Sequence, residues 1–302
     1  MDRISIVIPC YFNEQNIPVT TRRLLDVEDS MQGVEFEYVM VDDGSDDGTL
    51  DALLAFKQGN PHRITVIELA KNYGSYNAIY AGIQHAKGDC LVVMSADLQD
   101  SPELIQELYN SWKAGAKLVV ASRIRRNEPF LQRILADAFH FLMKKIALPT
   151  IPKGGFDYCL FDKQLGTFML DQMAPDINSL YLLLTKEPAP SYVSYQRARR
   201  EIGTSKWTLK KKLNLALSTL LHFSLLIKVA ITILLTLMVV SSAGLINLTV
   251  LAVEHRNPMQ AICLGVLFAC SVSVMVYLGE RLYRFIIKEA RKTECYKIKN
   301  VF

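Results

Sequence analysis

Two long stretches without a charged residue most constrain what this chain can fold into. The first covers residues 229–253 and the second covers residues 258–279. As a helix, each is long enough to cross the roughly 30 Å of hydrocarbon in a bilayer. Only the four residues 254–257 separate the two stretches. The pattern therefore predicts a transmembrane hairpin of two helices, because core helices of soluble domains rarely run so far without a charge.

Basic residues flank this hairpin on both sides and predict its orientation. The cations that precede it are Arg197, Arg199, Arg200, Lys206, Lys210, Lys211 and Lys212. Those that follow it are Arg281, Arg284, Lys288, Arg291 and Lys292. The positive-inside rule then places both chain ends in the cytoplasm. The net charge of +4 comes mostly from these clusters, and it indicates an anionic lipid surface or phosphate ligands rather than nucleic acid.

The cysteines give no sign of a metal site or of a disulfide framework. None belongs to a Cys-x-x-Cys pair, and none has metal-ligand spacing to a histidine. Two lie in the charge-free stretches and one in a predicted buried strand. We therefore interpret them as reduced, small apolar side chains. The six are Cys10, Cys90, Cys159, Cys263, Cys270 and Cys295.

Residues 1–205 alternate between apolar runs of strand length and helical stretches. This alternation predicts an α/β fold that is Rossmann-like, with a mostly parallel sheet and helices on both faces. The predicted strands are 4–9, 36–41, 64–69, 91–94 and 118–121, and the predicted helices are 16–30, 47–58, 75–87 and 101–114.

Oxygen-bearing side chains follow several of these strands. Asp97, Gln99 and Asp100 come after the apolar run 90–94, and Ser101-Pro102 predicts the start of the next helix. Carboxyl ends of parallel strands form the ligand-binding edge of an open sheet. The residues around Asp97 therefore predict a site for Mg²⁺ or Mn²⁺, held together with substrate phosphates. Taken alone, the tract could equally be an ordinary acidic turn.

Two amphipathic segments and the hairpin complete the predicted organisation. Residues 130–148 have one apolar face that could pack on the sheet or lie on the bilayer, and we favour the bilayer. A second amphipathic segment begins near Trp207. The predicted domains are a cytoplasmic catalytic domain at 1–205, a juxtamembrane region at 206–228, transmembrane helices at 229–253 and 258–279, and a cytoplasmic basic tail at 280–302.

Seven short motifs occur in an order that resembles a known family. Together they resemble the family-two glycosyltransferases with the GT-A fold, and among these the polyprenyl-phosphate branch. That branch contains the dolichol-phosphate-mannose-synthase-like enzymes and the GtrB-type bactoprenol glucosyltransferases. The motifs are residues 9–14, 41–45, 71–74, 96–100, 122–123, 155–157 and 200–207.

The resemblance implies a role for each matching residue. Pro9, Tyr11, Glu14 and Asp43, together with Asp97, would bind the nucleotide, and Asp97 and Gln99 would hold the divalent cation on the donor diphosphate. Asp157 would act as a base or orienting carboxylate beside Asp97 in the catalytic site, although a structural cap or a salt bridge would also explain it. The residues implied in binding acceptor and donor phosphates are Arg123, Arg133, Arg200, Ser205 and Lys206.

Two departures from the family pattern bear on these roles. Phe12 is an extra residue in the first motif. Ser95 stands where the family usually has a carboxylate. A hydroxyl is a poorer ligand than a carboxylate for a hard cation, so we expect weaker metal binding rather than none, and Asp100 could compensate for the missing carboxylate.

The resemblance implies an inverting transferase that moves a hexose from a nucleotide sugar to polyprenyl (undecaprenyl) phosphate. UDP-glucose is the favoured donor. The protein would be a multi-pass component of the bacterial inner membrane, assembled as a homotetramer, and would not bind nucleic acid. One alternative is a membrane-anchored sensor or scaffold that binds nucleotide sugars without catalysis. Another is a processive polysaccharide synthase, although two spans are too few for a polymer channel.

Overall fold

The computed structural model describes residues 1–302 apart from 124–129, 153–154, 199–201, 203–207, 255–257 and 291–294. The chain divides into two compact units. The first contains residues Met1–Thr219 together with Glu294–Phe302, and the second contains Leu220–Thr293.

The strands and helices of the described residues follow one another in a largely alternating order. The strands are β1 Asp2–Cys10, β2 Val34–Asp42, β3 Ile64–Leu69, β4 Cys90–Val93, β5 Leu118–Arg123, β6 Cys159–Asp162, β7 Ser191–Tyr195 and β8 Ile298–Val301. The helices are α1 Ile17–Ser30, α2 Thr49–Gly59, α3 Ser75–His85, α4 Leu104–Lys113, α5 Phe130–Ile146, α6 Lys163–Asp171, α7 Tyr181–Lys186, α8 Leu209–Phe223, α9 Leu225–Glu254 and α10 Pro258–Ala290.

All of these strands form one mixed sheet in the order β7-β5-β6-β4-β1-β2-β3-β8. The central strands β4, β1, β2 and β3 are parallel to one another, as predicted. Strand β6 runs antiparallel to both of its neighbours, and β8 runs antiparallel to β3. Strands β6, β7 and β8 were not predicted from the sequence.

The first unit buries both faces of the sheet. Ile4, Ile6 and Ile8 of β1 belong to one apolar cluster that also includes residues of α1, α2 and α4. On the opposite face, α3 approaches so closely that a Cβ at Gly82 would lie 2.3 Å from Cγ1 of Val7. Helices therefore cover both faces of the sheet, as the alternating pattern predicted.

Helix α4 begins later than predicted. The sequence indicated Ser101 as N-cap and Pro102 as the first helical residue, whereas the helix starts at Leu104. The amide of Leu104 donates to the carbonyl of Ser101, and Ile105 donates to Pro102, so a tight turn precedes the helix. The Ser101 hydroxyl donates to the Glu103 carboxylate, which corrects the predicted capping role.

Residues 280–302 do not form the separate basic tail that was predicted. Helix α10 continues to Ala290, and β8 pairs with β3 at the edge of the catalytic sheet. The side chains of Lys299 and Asn300 lie 2.6 and 2.7 Å from the two carboxylate oxygens of Glu68. The end of the described chain is therefore a structural part of the first unit.

The second unit contains helices α9 and α10, which pack against each other. In the described part of this unit, Ile262–Glu280 is the one segment long and apolar enough to cross a membrane. Val229–Met238 is a shorter apolar segment. All six cysteines are described, and each is an unpaired thiol in this structure.

Candidate active site

The predicted site residues that the structure describes lie at one edge of the sheet because of the strand directions. Strands β1, β2 and β4 end at this edge, and β6 begins there because it runs antiparallel to β4. Asp157 lies two residues before that start. Strands β5 and β7 are parallel, and their final residues Arg123 and Tyr195 are partners in the ladder. The edge therefore collects groups from at least six strands.

On one side of the site, the first motif is bonded to the loop that follows β2. The amide of Asp43 donates to the Cys10 carbonyl at 2.8 Å, and the amide of Phe12 donates to Ser45 Oγ at 3.1 Å. The extra Phe12 has a φ of 55°, a left-handed conformation that is unusual for a bulky residue. The inserted residue thus forms a local bulge, while Glu14 accepts a hydrogen bond from the Gly48 amide at 3.2 Å.

The carboxylate of Asp43 holds the loop that follows β3. Its two oxygens accept hydrogen bonds from the amides of Tyr73 and Gly74 at 2.7 and 2.8 Å. Burial raises the pKa of Asp43 to about 7, although these two amides and the charge of Lys211 act in the opposite direction. Asp43 therefore shapes the predicted nucleotide side of the site, and each oxygen retains a second lone pair.

The turn between β4 and α4 contains the predicted metal ligands. Ser95 Oγ lies 2.8 Å from Oδ1 of Asp97, which also accepts from the Gln99 amide at 3.2 Å. The side-chain amide of Gln99 donates to the Ala198 carbonyl at 3.3 Å. Leu98 has a φ of 56°. Such a conformation in a non-glycine residue stores strain, which is common in functional turns.

The donor set of this turn fits a hard divalent cation that a substrate helps to bind. In the described part of the chain, no group of three or more His, Cys, Asp or Glu side chains could hold an ion. Magnesium is usually bound by one or two carboxylates together with substrate phosphates and water. Asp97 supplies one carboxylate, and Gln99 carries an amide oxygen. The protein side chains alone are therefore an incomplete shell that a diphosphate would complete.

Arginines and carboxylates alternate at the ends of β5, β6 and β7, on the side predicted to bind the acceptor phosphate. Arg123, with a side chain 8% exposed, is ion-paired with Asp157 and donates to the Tyr195 hydroxyl at 3.3 Å. Nη2 of Arg197 lies 3.8 Å from Asp157 Oδ2, and its Nε lies 3.2 Å from Asp100 Oδ1. The salt bridge considered as an alternative for Asp157 is therefore present.

Several predicted residues fall outside what the structure describes. Arg200, Ser205 and Lys206 are not described, and of Arg133 only the helical backbone is described. Conversely, Tyr195 and Arg197 belong to the site, although no motif indicated a site role for either of them. The one available signal was the position of Arg197, three residues before the start of the last motif.

Comparison with known proteins identifies the family. The model of glycosyl transferase family 2 matches residues 5–169, which is more than half of the chain. The chain belongs to glycosyltransferase family 2. The implied family membership is thereby confirmed, and the protein is a glycosyltransferase.

Several curated relatives align with about three quarters of the chain. A bactoprenol glucosyl transferase of Shigella phage SfV is 32% identical over 74% of this chain and 72% of its own length. An uncharacterized glycosyltransferase of Synechocystis is 33% identical over 74% of this chain and 70% of its own length. An undecaprenyl-phosphate 4-deoxy-4-formamido-L-arabinose transferase of Erwinia tasmaniensis is 28% identical over 70% of this chain and 65% of its own length.

Solved structures of family 2-like enzymes share the fold. The glucosyl-3-phosphoglycerate synthase of Mycobacterium tuberculosis, solved with Mn²⁺, UDP and its product, superposes with a TM-score of 0.50 at 18% identity. The superposition covers 74% of this chain and 80% of that protein. The likeness supports the GT-A assignment of the first unit.

Proposed function

We propose that this family 2 enzyme transfers a hexose, with glucose favoured, from a nucleotide sugar to polyprenyl phosphate, with inversion at the anomeric carbon. UDP is the favoured nucleotide and undecaprenyl phosphate the favoured lipid. The reaction would take place on the cytoplasmic face of the bacterial inner membrane. The similarity to bactoprenol and undecaprenyl-phosphate transferases supports this choice of acceptor.

The observation that carries the proposal is the presence of two groups at the same edge of the sheet. One is the turn between β4 and α4 (residues 94–103), which we call the donor turn, and the other is the nearly buried Arg123 on the proposed acceptor side. Asp97 lies in the turn after β4. At the same edge of the sheet, Arg123 at the end of β5 is paired with Asp157, which precedes β6. The planar guanidinium of Arg123 suits a phosphate monoester, because it can donate two parallel hydrogen bonds. A phosphate entering beside Arg123 would compete with the Asp157 carboxylate for that guanidinium.

The chemistry requires a positioned nucleophile more than a strong base. A phosphate oxygen of the lipid would attack C1 of the sugar while the bond from C1 to the nucleotide diphosphate breaks. That oxygen is already largely ionised near neutral pH, since the second pKa of a phosphate monoester is about 6. Asp157 is paired with two arginines, and we therefore assign it an orienting role rather than proton abstraction.

A divalent cation, Mg²⁺ or Mn²⁺, would neutralise the negative charge that grows on the leaving diphosphate. Asp97 would supply its carboxylate ligand, and the Gln99 side chain would have to leave the Ala198 carbonyl for its amide oxygen to join. Pro9, Tyr11, Glu14 and Asp43 would surround the base and ribose.

The membrane part of the proposal is a two-helix hairpin with both ends in the cytoplasm. The chain leaves the first unit near Thr219 and rejoins its sheet at β8. A segment that leaves and rejoins one folded unit must cross a bilayer an even number of times. We further propose a homotetramer, which light scattering of the detergent-solubilised protein would test by its mass.

The test is transfer by the purified full chain from UDP-glucose to undecaprenyl phosphate with Mg²⁺ or Mn²⁺, with the product identified by mass. Asp97→Asn should reduce turnover by about a hundredfold or more, because charge stabilisation by the cation is worth several kcal/mol. Asp26→Asn, at an exposed position of α1, is the control and should be as active as the wild type. Binding of nucleotide sugars without transfer would favour the sensor alternative, and a polymeric product would favour the synthase alternative.

A further inference from the structure

Asp100 differs from Asp97 in the donor turn because it is completely buried and is held by an arginine. Its exposed fraction is 0%. Oδ1 accepts from the Tyr195 hydroxyl and contacts Arg197 Nε at 3.2 Å. Oδ2 lies 2.9 Å from Ser95 Oγ and 3.4 Å from Arg197 Nη2. Three hydrogen bonds and the ion pair with Arg197 thus surround a carboxylate that has no exposed surface at which a cation could bind.

The same turn also holds the backbone beyond Arg197. The amide of Ala198 donates to the Gln99 carbonyl at 3.0 Å, and the Gln99 side chain donates back to the Ala198 carbonyl at 3.3 Å. Residues 196–198 lead directly to the motif that starts at residue 200. The donor turn and residues 196–198 are thus joined by both side-chain and backbone contacts.

Ser95 connects this network to the donor side. Its hydroxyl oxygen lies 2.8 Å from Asp97 and 2.9 Å from Asp100, but the hydroxyl has one proton and donates to one carboxylate at a time. A change in the charge bound at Asp97 can therefore redirect this proton and alter how firmly Asp100 holds Arg197.

We propose that Asp100 is a positioning residue, which fixes Arg197 beside Asp157 and so aligns the acceptor-phosphate side with the donor turn. The inference rests on the proposed function, because it names an acceptor phosphate. It also excludes Asp100 as the carboxylate that replaces the ligand lost at Ser95.

The test compares Asp100→Asn, Arg197→Gln and the double variant with the wild type. We expect Asp100→Asn to raise the KM for undecaprenyl phosphate about tenfold, since a buried charge pair loses its partner. The UDP affinity and the Mn²⁺ concentration that gives half-maximal UDP binding should change by less than about threefold, which is under 0.7 kcal/mol. The double variant should be no worse than the poorer single variant, since both changes break one contact.

A rise of the Mn²⁺ midpoint for Asp100→Asn comparable with that for Asp97→Asn would overturn the proposal, as would multiplicative effects in the double variant. Arg197→Gln keeps the test available if Asp100→Asn does not fold, because this arginine is the more exposed partner. Arg23→Gln is the matched control, since Arg23 pairs with Glu103 at 2.7 Å beside the same turn, and it should leave the acceptor KM unchanged. UDP binding by a wild type that transfers no sugar would refute the proposed function separately.

Discussion

Gly44 lies where the loop after β2 comes close to the loop after β3, on the side of the site predicted to bind the nucleotide. Its φ is +65°, and a Cβ there would lie 2.4 Å from the carbonyl carbon of Lys71. The loop that carries Tyr73 and Gly74 would have to move, and with it the contacts to Asp43. The motif therefore needs glycine for two reasons, its backbone conformation and the absence of a side chain.

We predict that Gly44→Ala lowers both stability and UDP affinity. The left-handed conformation alone costs about 1–2 kcal/mol for a residue with a side chain, and displacement of the neighbouring backbone adds to this cost. Gly33→Ala is the control, because Gly33 has a φ of +82° with open space around it. In denaturant unfolding, Gly33→Ala should lose only the free energy that the left-handed conformation costs, and it should bind UDP as the wild type does. Equal losses in the two variants would contradict the close approach.

Asp43 predicts a pH dependence of stability. Its pKa is raised to about 7 by burial, so the folded state binds a proton more tightly than the unfolded state, whose ordinary value is 3.8. The stability that this group contributes is fully present below pH 3.8, the pKa in the unfolded state, and is lost as the pH rises towards 7. The loss is at most about 1.4 kcal/mol per pH unit.

The measurement compares unfolding of the wild type and of Asp43→Asn between pH 4 and pH 8. The advantage of the wild type over Asp43→Asn should shrink as the pH rises, because asparagine does not titrate. An advantage that grows with pH would show that the amides of Tyr73 and Gly74 outweigh burial.

At the level of elements, the sequence predicted β1 to β5 and missed β6, β7 and β8, although β6 lies inside the sheet between β5 and β4. Strands β1 to β5 are runs of apolar residues, because both faces of a central strand are covered. Strand β7 alternates between exposed and half-buried residues, and β8 is mostly exposed. Such edge strands have no periodic apolar signal, and pairing rather than composition defines them.

The sequence predicted those site residues that belong to a recognisable motif. Asp97 and Asp43 follow central strands, and their edge could be predicted from strand direction. The meeting of Arg123, Asp157 and Tyr195 could not, because it depends on the antiparallel course of β6. Hydrogen bonds between distant residues, such as that from Tyr195 to Asp100, leave no pattern in local sequence.

The contacts of Lys299 and Asn300 in β8 with the Glu68 carboxylate in β3 give a prediction at the scale of elements. Changing Lys299 and Asn300 together to alanine removes both partners of the Glu68 carboxylate. We expect a loss of about 1–3 kcal/mol, the cost of leaving a largely buried acceptor unpaired. Lys297→Ala is the control, because this exposed residue holds β3 through its backbone carbonyl, 2.9 Å from the Ala70 amide. Equal denaturant midpoints for the two variants would show that the contacts with Glu68 do not stabilise the fold.

At the scale of the whole molecule, the even number of crossings can be tested by cysteine labelling. In a background with Cys263 and Cys270 replaced by alanine, Asn257→Cys should react with an impermeant maleimide added to intact cells. Gln58→Cys, at an exposed position of the first unit, should react only after lysis. Labelling of both before lysis would contradict the proposed orientation.

The pairing of β8 with β3 also sets an order of events during synthesis. Every residue of the second unit is synthesised before β8. The edge of β3 therefore stays uncovered until β8 has been made. An uncovered edge strand can pair with other chains. A delay in making or inserting the apolar helices would therefore prolong the period in which the newly made enzyme is prone to aggregation, even though its other sheet strands have all been synthesised.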